Sequence, residues 1–118
     1  MIPATWQPHH RDDGELSGYL APHPGDQVVP MTIIGTPVGD PSDLWTAEQL
    51  LDEIGLSYLA ERWLLRLEDG TERPVALVEA DPERVVVVPA EFALVVGMPR
   101  SPSDEVTLDV PTDRLRRA

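Results

Sequence analysis

Residues 62–89 read RWLLRLEDGTERPVALVEADPERVVVVP, three apolar runs separated by two turn signals, and this stretch decides the fold. In the first run Arg62 and Arg66 fall on one parity and Trp63, Leu65 and Leu67 on the other, the alternation of a half-buried strand. Leu64 breaks the pattern, so the outer face is expected to be partly covered. Glu68, Asp69 and Gly70 then supply a hairpin turn, because glycine takes positive φ without a Cβ clash and aspartate bonds its own backbone. The second run, 75–78, ends at Ala80, Asp81, Pro82 and Glu83, where proline presets φ for a tight turn. Val85, Val86, Val87 and Val88 are β-branched and continuous, which predicts a strand buried on both faces. Glu83, Arg84 and Pro89 flank that sticky run as gatekeepers. Pro74 cannot donate to a ladder and belongs at a strand start or an edge. The whole reads as a three-stranded antiparallel meander.

Upstream, Thr46 as N-cap with Gln49 at N3 makes a capping box, and Trp45 and Leu50 are spaced as a hydrophobic staple. Gly55 is the stop, with Leu56 folding back on Leu51. This predicts a helix over 46–54, about two turns long, with Ala47, Leu50, Leu51 and Ile54 facing a sheet and Glu48, Gln49, Asp52 and Glu53 facing out. Residues 35–41 form a loop. Residues 28–34 read as a strand interrupted by Pro30, hence an edge or a bulge. Before it, 22–26 is a proline-rich turn, 15–20 alternates as a strand, and Asp12, Asp13 and Gly14 repeat the turn chemistry of Glu68 to Gly70. Asp13-Gly14-Glu15 leading to Val28-Val29-Pro30 echoes Asp69-Gly70-Thr71 leading to Val87-Val88-Pro89, with spacings that differ by three residues, a convergence on common hairpin grammar. Residues 1–13 are an N-terminal edge segment anchored by Trp6.

Downstream, 91–96 is a short strand or helical turn and 97–104 a loop. Val106, Leu108 and Val110 alternate as a last strand. The tail, 111–118, caps with Thr112 and runs a single helical turn. Residues 41–60 carry four acids and no base, while 92–118 carry four of each; the acidic helix face and the arginine tail are candidates to meet, within one molecule or between two.

The expected architecture is a single mainly β, α+β domain over 1–118: a strongly bent antiparallel sheet or partly open small barrel of five to seven strands, with the 46–54 helix across one open side. A chain of 118 residues buries roughly two-thirds of its unfolded surface, enough to fold without staples. There is no cysteine, which removes disulfides, thiolate nucleophiles and cysteine metal sites and suits a reducing compartment. All nine basic residues are arginine, and lysine and asparagine are both absent, the codon signature of a GC-rich genome. Lysine chemistry is thereby excluded. The net charge of −12 repels phosphate backbones and argues against nucleic-acid and anionic-membrane partners. No apolar stretch is long enough to span a bilayer and no signal-peptide pattern opens the chain, so a cytoplasmic location is expected.

His9-His10-Arg11-Asp12-Asp13 is the one cluster with metal-ligand or acid–base character, and His23 is a candidate to join it across a hairpin. Adjacent histidines in an extended chain point to opposite sides, however, and the spacing that converges two imidazoles is missing. The carboxylate pairs each lie at a turn, helix end or strand entry. Ser17 lacks a nucleophile elbow, and Gly35 to Gly39 lacks the lysine of a phosphate cradle. Tryptophan is enriched in binding hot spots; Trp45 and Trp63 have structural roles in the staple and the meander, which leaves Trp6 as a possible groove residue with Pro8 and His9.

The leading functional reading is therefore a non-enzymatic, acidic interaction module without a cofactor, offering Glu48, Asp52, Glu53 and Trp6 to a basic patch on a partner or on a second copy. The alternative is a metal-binding protein or metal-assisted hydrolase using His9, His10, His23 and Asp12 or Asp13.

Overall fold

A computed structural model describes residues 1–90 and 105–118. The chain is a small, mainly β domain, as its sequence implies, with one α-helix and one 3-10 turn named among the described residues. Strands β1 (Gln7–His10), β2 (Leu16–His23) and β3 (Gln27–Met31) form a three-stranded antiparallel sheet in chain order. Strands β4 (Arg62–Arg66), β5 (Glu72–Ala80), β6 (Arg84–Pro89), β7 (Val106–Asp109) and β8 (Leu115–Arg117) form a five-stranded antiparallel sheet ordered β7-β6-β5-β4-β8. Among the described residues the sheets do not close into a barrel. The mainly β antiparallel fold is as expected, and the described residues carry eight strands divided between two sheets, where the sequence suggested five to seven in one strongly bent sheet or partly open small barrel.

The meander is the centre of the large sheet. Trp63 and Leu65 are buried, Arg62 and Arg66 exposed and Leu64 half-buried, so the period-two pattern of β4 sets its inner face. All four valines of β6 are buried, as continuous β-branched runs predict. Pro74 lies in an inner strand, yet the β5–β6 ladder begins only at Val75 opposite Pro89. On that side β5 is locally an edge, and a missing N–H costs nothing there. Pro30 sits in β3, an edge strand of the small sheet, again where proline is tolerated. The β2–β3 hairpin departs from expectation: β2 continues through Pro22 to His23, and the turn is confined to 24–26.

Three turns use one geometry. At 11–15, Arg11 N donates to Glu15 O at 2.8 Å and Gly14 N to Arg11 O at 2.8 Å; at 67–71, Leu67 N donates to Thr71 O at 2.8 Å and Gly70 N to Leu67 O at 3.0 Å. Each has a positive-φ glycine in its fourth position and an aspartate oxygen accepting the fifth residue's N–H. The third turn was read as the end of a strand. At 32–36, Thr32 N donates to Thr36 O at 2.8 Å and Gly35 N to Thr32 O at 3.0 Å, with φ +80° at Gly35. β3 therefore stops at Met31, and Ile33 and Ile34 form the tip of a turn rather than a strand. Gly35 is fixed twice over, since a Cβ there would stand 2.5 Å from Pro111 Cβ.

That apolar tip is buried in the core of the large sheet, packed with Tyr58, Trp63, Leu65, Val75, Val85 and Val87. Burying two isoleucines is worth about 1.5–3 kcal/mol each. Tyr58, in a single 3-10 turn (Ser57–Ala60), satisfies the exposed backbone of the tip: Ile33 N donates to its hydroxyl at 2.9 Å, the hydroxyl points to Ser17 O at 3.4 Å, and Trp63 Nε1 donates to Tyr58 O at 2.9 Å.

Helix α1 (Leu44–Ile54) packs Ala47 and Leu51 against Leu20. Its start differs from the expected one: the N-cap is Asp43, whose carboxylate accepts from Thr46 N at 2.6 Å. Asp43 captures this donor three residues on, so Thr46 lies inside the helix and no staple forms. Gly55 ends α1 with φ +55°, donating to Leu51 O at 2.9 Å. Leu56 packs on the core of the large sheet rather than with the cluster that holds Leu51.

The tail is a strand, not a helical turn. A few residues cannot repay helix nucleation, whereas the free edge of β4 offers backbone partners, and Leu115, Arg116 and Arg117 pair with Leu65, Leu64 and Trp63. The arginines of the tail meet Glu72 and Glu61, not the helix: Arg116 binds Glu72 at 2.6 and 2.8 Å, and Arg117 binds Glu61 at 2.8 Å twice. The elements expected at 91–96 and 97–104 lie outside the described residues.

Ile34→Ala is expected to cost about 2–5 kcal/mol in urea unfolding, while Leu44→Ala, on the exposed helix start, stays within about 0.5 kcal/mol. Burial raises the Tyr58 phenol from 10.0 to about 12. Between those values the unfolded chain gives up a proton that the folded chain keeps, so this stabilisation is complete below pH 10.0 and lost as pH rises to about 12. Burial, with the Glu83 carboxylate, raises Tyr19 as well. Melting temperature scanned from pH 9 upward should therefore fall less steeply for Tyr58→Phe, which is the less stable protein at neutral pH because Ile33 N–H loses its acceptor.

Candidate functional site

Helix α1 packs on the small sheet through Ala47 and Leu51 against Leu20, and three residues of one parity in and after β1 lie along its length. From Gln7 through His9 to Arg11, alternate residues of β1 and its hairpin project to one face, and they track the helix from start to end. Gln7 and Leu44 share a groove, His9 meets Glu48 and Asp52, and the Arg11 guanidinium reaches Gly55, where a Cβ would stand 3.2 Å from Nη1. The helix has no basic residue in its last turn. Arg11 supplies from another element the cation that a helix C-terminus favours.

The exposed face of α1 is Trp45, Glu48, Gln49 and Asp52, at i, i+3, i+4 and i+7. Of the expected interaction residues, Glu48 and Asp52 lie together on this face but are partly engaged: His9 Nε2 lies 2.9 Å from Asp52 Oδ1 and Nδ1 3.5 Å from Glu48 Oε2, with the imidazole only 12% exposed. Glu53 is exposed beside them. Trp6 is half-buried just ahead of β1. The residue that dominates the face is one to which the sequence had given a packing role. Trp45 is 70% exposed, and its neighbour Leu44 is 48% exposed. Because Asp43 caps α1, the helix begins earlier than expected and Trp45 becomes an outward residue of its first turn. The Thr46 N–H bond holds the Asp43 carboxyl below its ordinary range, so an anion stands at that end of the patch.

Beside Leu44 runs a groove of about 550 Å³, lined by Gln7, Leu20, Pro22, His23, Asp26 and Val28 among others. A smaller depression of about 280 Å³ is lined by Arg11, Asp12, Asp13 and Asp52.

The histidines do not converge. His10 lies on the opposite parity of β1 from His9 and is exposed. His23 ends β2, five residues beyond the Gly18 that pairs with His9, a separation of roughly 17 Å along the strand, and its Nδ1 lies 3.2 Å from Pro24 O. Asp12 and Asp13 belong to the hairpin turn, where Asp13 accepts from Glu15 N. Among the described residues, no three His, Cys, Asp or Glu side chains are placed to hold a metal ion. Ser17 is buried, and its hydroxyl donates to His9 O at 3.2 Å.

No protein-family model, curated protein or solved structure matches the chain.

If Trp45 is the outward residue of α1, it should carry most of the solvent-quenchable fluorescence. Acrylamide titration is expected to quench wild type more than Trp45→Phe, which keeps only half-buried Trp6 and fully buried Trp63. Equal quenching of the two proteins would show Trp45 to be covered.

Proposed function

We propose that this chain is a small non-enzymatic interaction module whose docking patch is the outward face of α1. It takes a protein segment that presents an apolar side chain flanked by arginine or lysine. The observation that carries this reading is the exposure of Trp45 beside Leu44 on a stable helix, at the head of a stripe made of Glu48, Asp52 and Glu53. Trp is the side chain most often found at binding hot spots, and a carboxylate rim selects a cationic partner and speeds its encounter. The net charge of −12 acts in the same direction over longer range and disfavours nucleic acid. The cysteine-free composition and a chain in which no described helix is long and apolar enough to cross a membrane fit work in the reducing cytoplasm.

The probe is a short synthetic peptide with a central leucine between arginines, set against the same peptide with glutamates. Titration calorimetry at low and high salt is expected to show binding of the arginine peptide alone, weakening with ionic strength and at least about tenfold weaker for Trp45→Ala. Equal binding of both peptides, or unchanged binding by Trp45→Ala, would overturn the assignment.

A further inference from the structure

The outer face of the large sheet carries the complement of the α1 patch. Trp63 and Leu65 point into the core, so Arg62, Leu64 and Arg66 share the opposite face of β4. The register sets Leu64 between Arg116 of β8 and Pro74 of β5, and Arg62 beside Ala76. Leu64 and Ala76 are half-buried and Pro74 is exposed, which gives an apolar strip. Around it stand Arg62, Arg66 and Arg116, all exposed, and Arg114, whose Nε donates to Arg66 O at 3.1 Å. The carboxylates paired with these arginines are Glu72 and Asp113. In a chain of net charge −12, four arginines against two carboxylates is a pronounced local reversal of sign.

We propose that the occupant of the α1 patch is a second copy of this chain, with Trp45 of one copy seated on the Leu64–Pro74 strip of the other. This inference rests on the docking reading above and names its partner. The case is complementarity of both kinds. A Trp–Leu anchor inside a carboxylate rim meets a Leu–Pro strip inside a guanidinium rim, and an indole packs well on proline and stacks with arginine. The two patches lie on different elements, so the contact is heterologous, each copy keeping one patch of each kind. Net repulsion between two strongly acidic chains opposes association, which makes the contact weak and reversible.

Analytical ultracentrifugation of the full chain over a range of concentrations tests it. Wild type is expected to show a weight-average mass that rises above the monomer value with concentration. Trp45→Ala and Arg62→Glu should each lower the association constant by at least about tenfold; Leu64→Thr serves as a second strip variant, with melting curves confirming that all are folded. Because the contact is heterologous, an equimolar mixture of Trp45→Ala and Arg62→Glu should form a two-chain species that neither forms alone, since the first retains its arginine strip and the second its tryptophan. A monomeric wild type, self-association unchanged by either variant, or a mixture that stays monomeric overturns the proposal. The arginine-peptide titration separates the two levels: if the peptide binds through Trp45 while wild type stays monomeric, the docking patch stands and only the second copy fails; if the peptide does not bind either, both fall.

Discussion

The fold depends on an apolar turn tip sealed into the core by one phenol. Ile33 and Ile34 leave the small sheet at the end of β3 and enter the core of the large one, where a turn's backbone has no water to bond. A buried amide without an acceptor costs about 1–3 kcal/mol, enough to cancel much of what one isoleucine contributes. The Tyr58 hydroxyl removes that penalty by accepting from Ile33 N, and it extends the link to Ser17 O in β2. Thr32 and Thr36 close the base of the same turn with hydroxyls 2.8 Å apart. One side chain from the 3-10 turn thus ties both sheets together, and no described buried side-chain polar atom lacks a partner.

The β4–β6 meander of the large sheet was legible because it is local. Residues 62–89 combine period-two alternation with turns whose residues have little choice, and the register follows from turn geometry. The same grammar at 11–15 was readable for the same reason. At 32–36 it was not, because the turn residues that normally advertise themselves by polarity are isoleucines; their identity is set by a core formed from residues far along the chain. Leu115 to Arg117 failed similarly. Their conformation is decided by the vacant edge of β4, and nothing local distinguishes three such residues in a strand from three in a helix.

The charges of the proposed patch were legible, but the exposure of Trp45 was not. Helical period puts Glu48, Asp52 and Glu53 on the outward face of α1, where Asp52 and Glu53 are exposed and Glu48 is half-buried against His9. Trp45 was misplaced by a competition between two caps. Aspartate ranks above threonine at the N-cap, so Asp43 wins over Thr46, and a shift of three residues in the helix start converts a staple into a solvent-facing side chain. The sequence did hold the signal, Asp43 three residues before Thr46, but the Thr46–Gln49 box competed with it. The contact between β1 and α1 through His9 was invisible, since it depends on how two distant elements cross.

An indole at the surface of this domain is hard to explain by folding. Among the described aromatic residues Tyr19, Tyr58 and Trp63 are buried and Trp6 is half-buried, so the core takes up the large rings wherever it has room. Trp45 stands outside it on a helix whose cap, hydrogen bonds and buried face are complete without it. Its position in the outward stripe, 70% exposed, leaves it no packing function visible among the described residues. Ring and rim together have the composition of an interface core and its border. Because α1 is anchored at its start by Asp43, along its length by Ala47 and Leu51, and at its end by Gly55 and Arg11, the proposed docking would need no reorganisation of the support that carries the ring, which is the condition for a low entropic cost of binding.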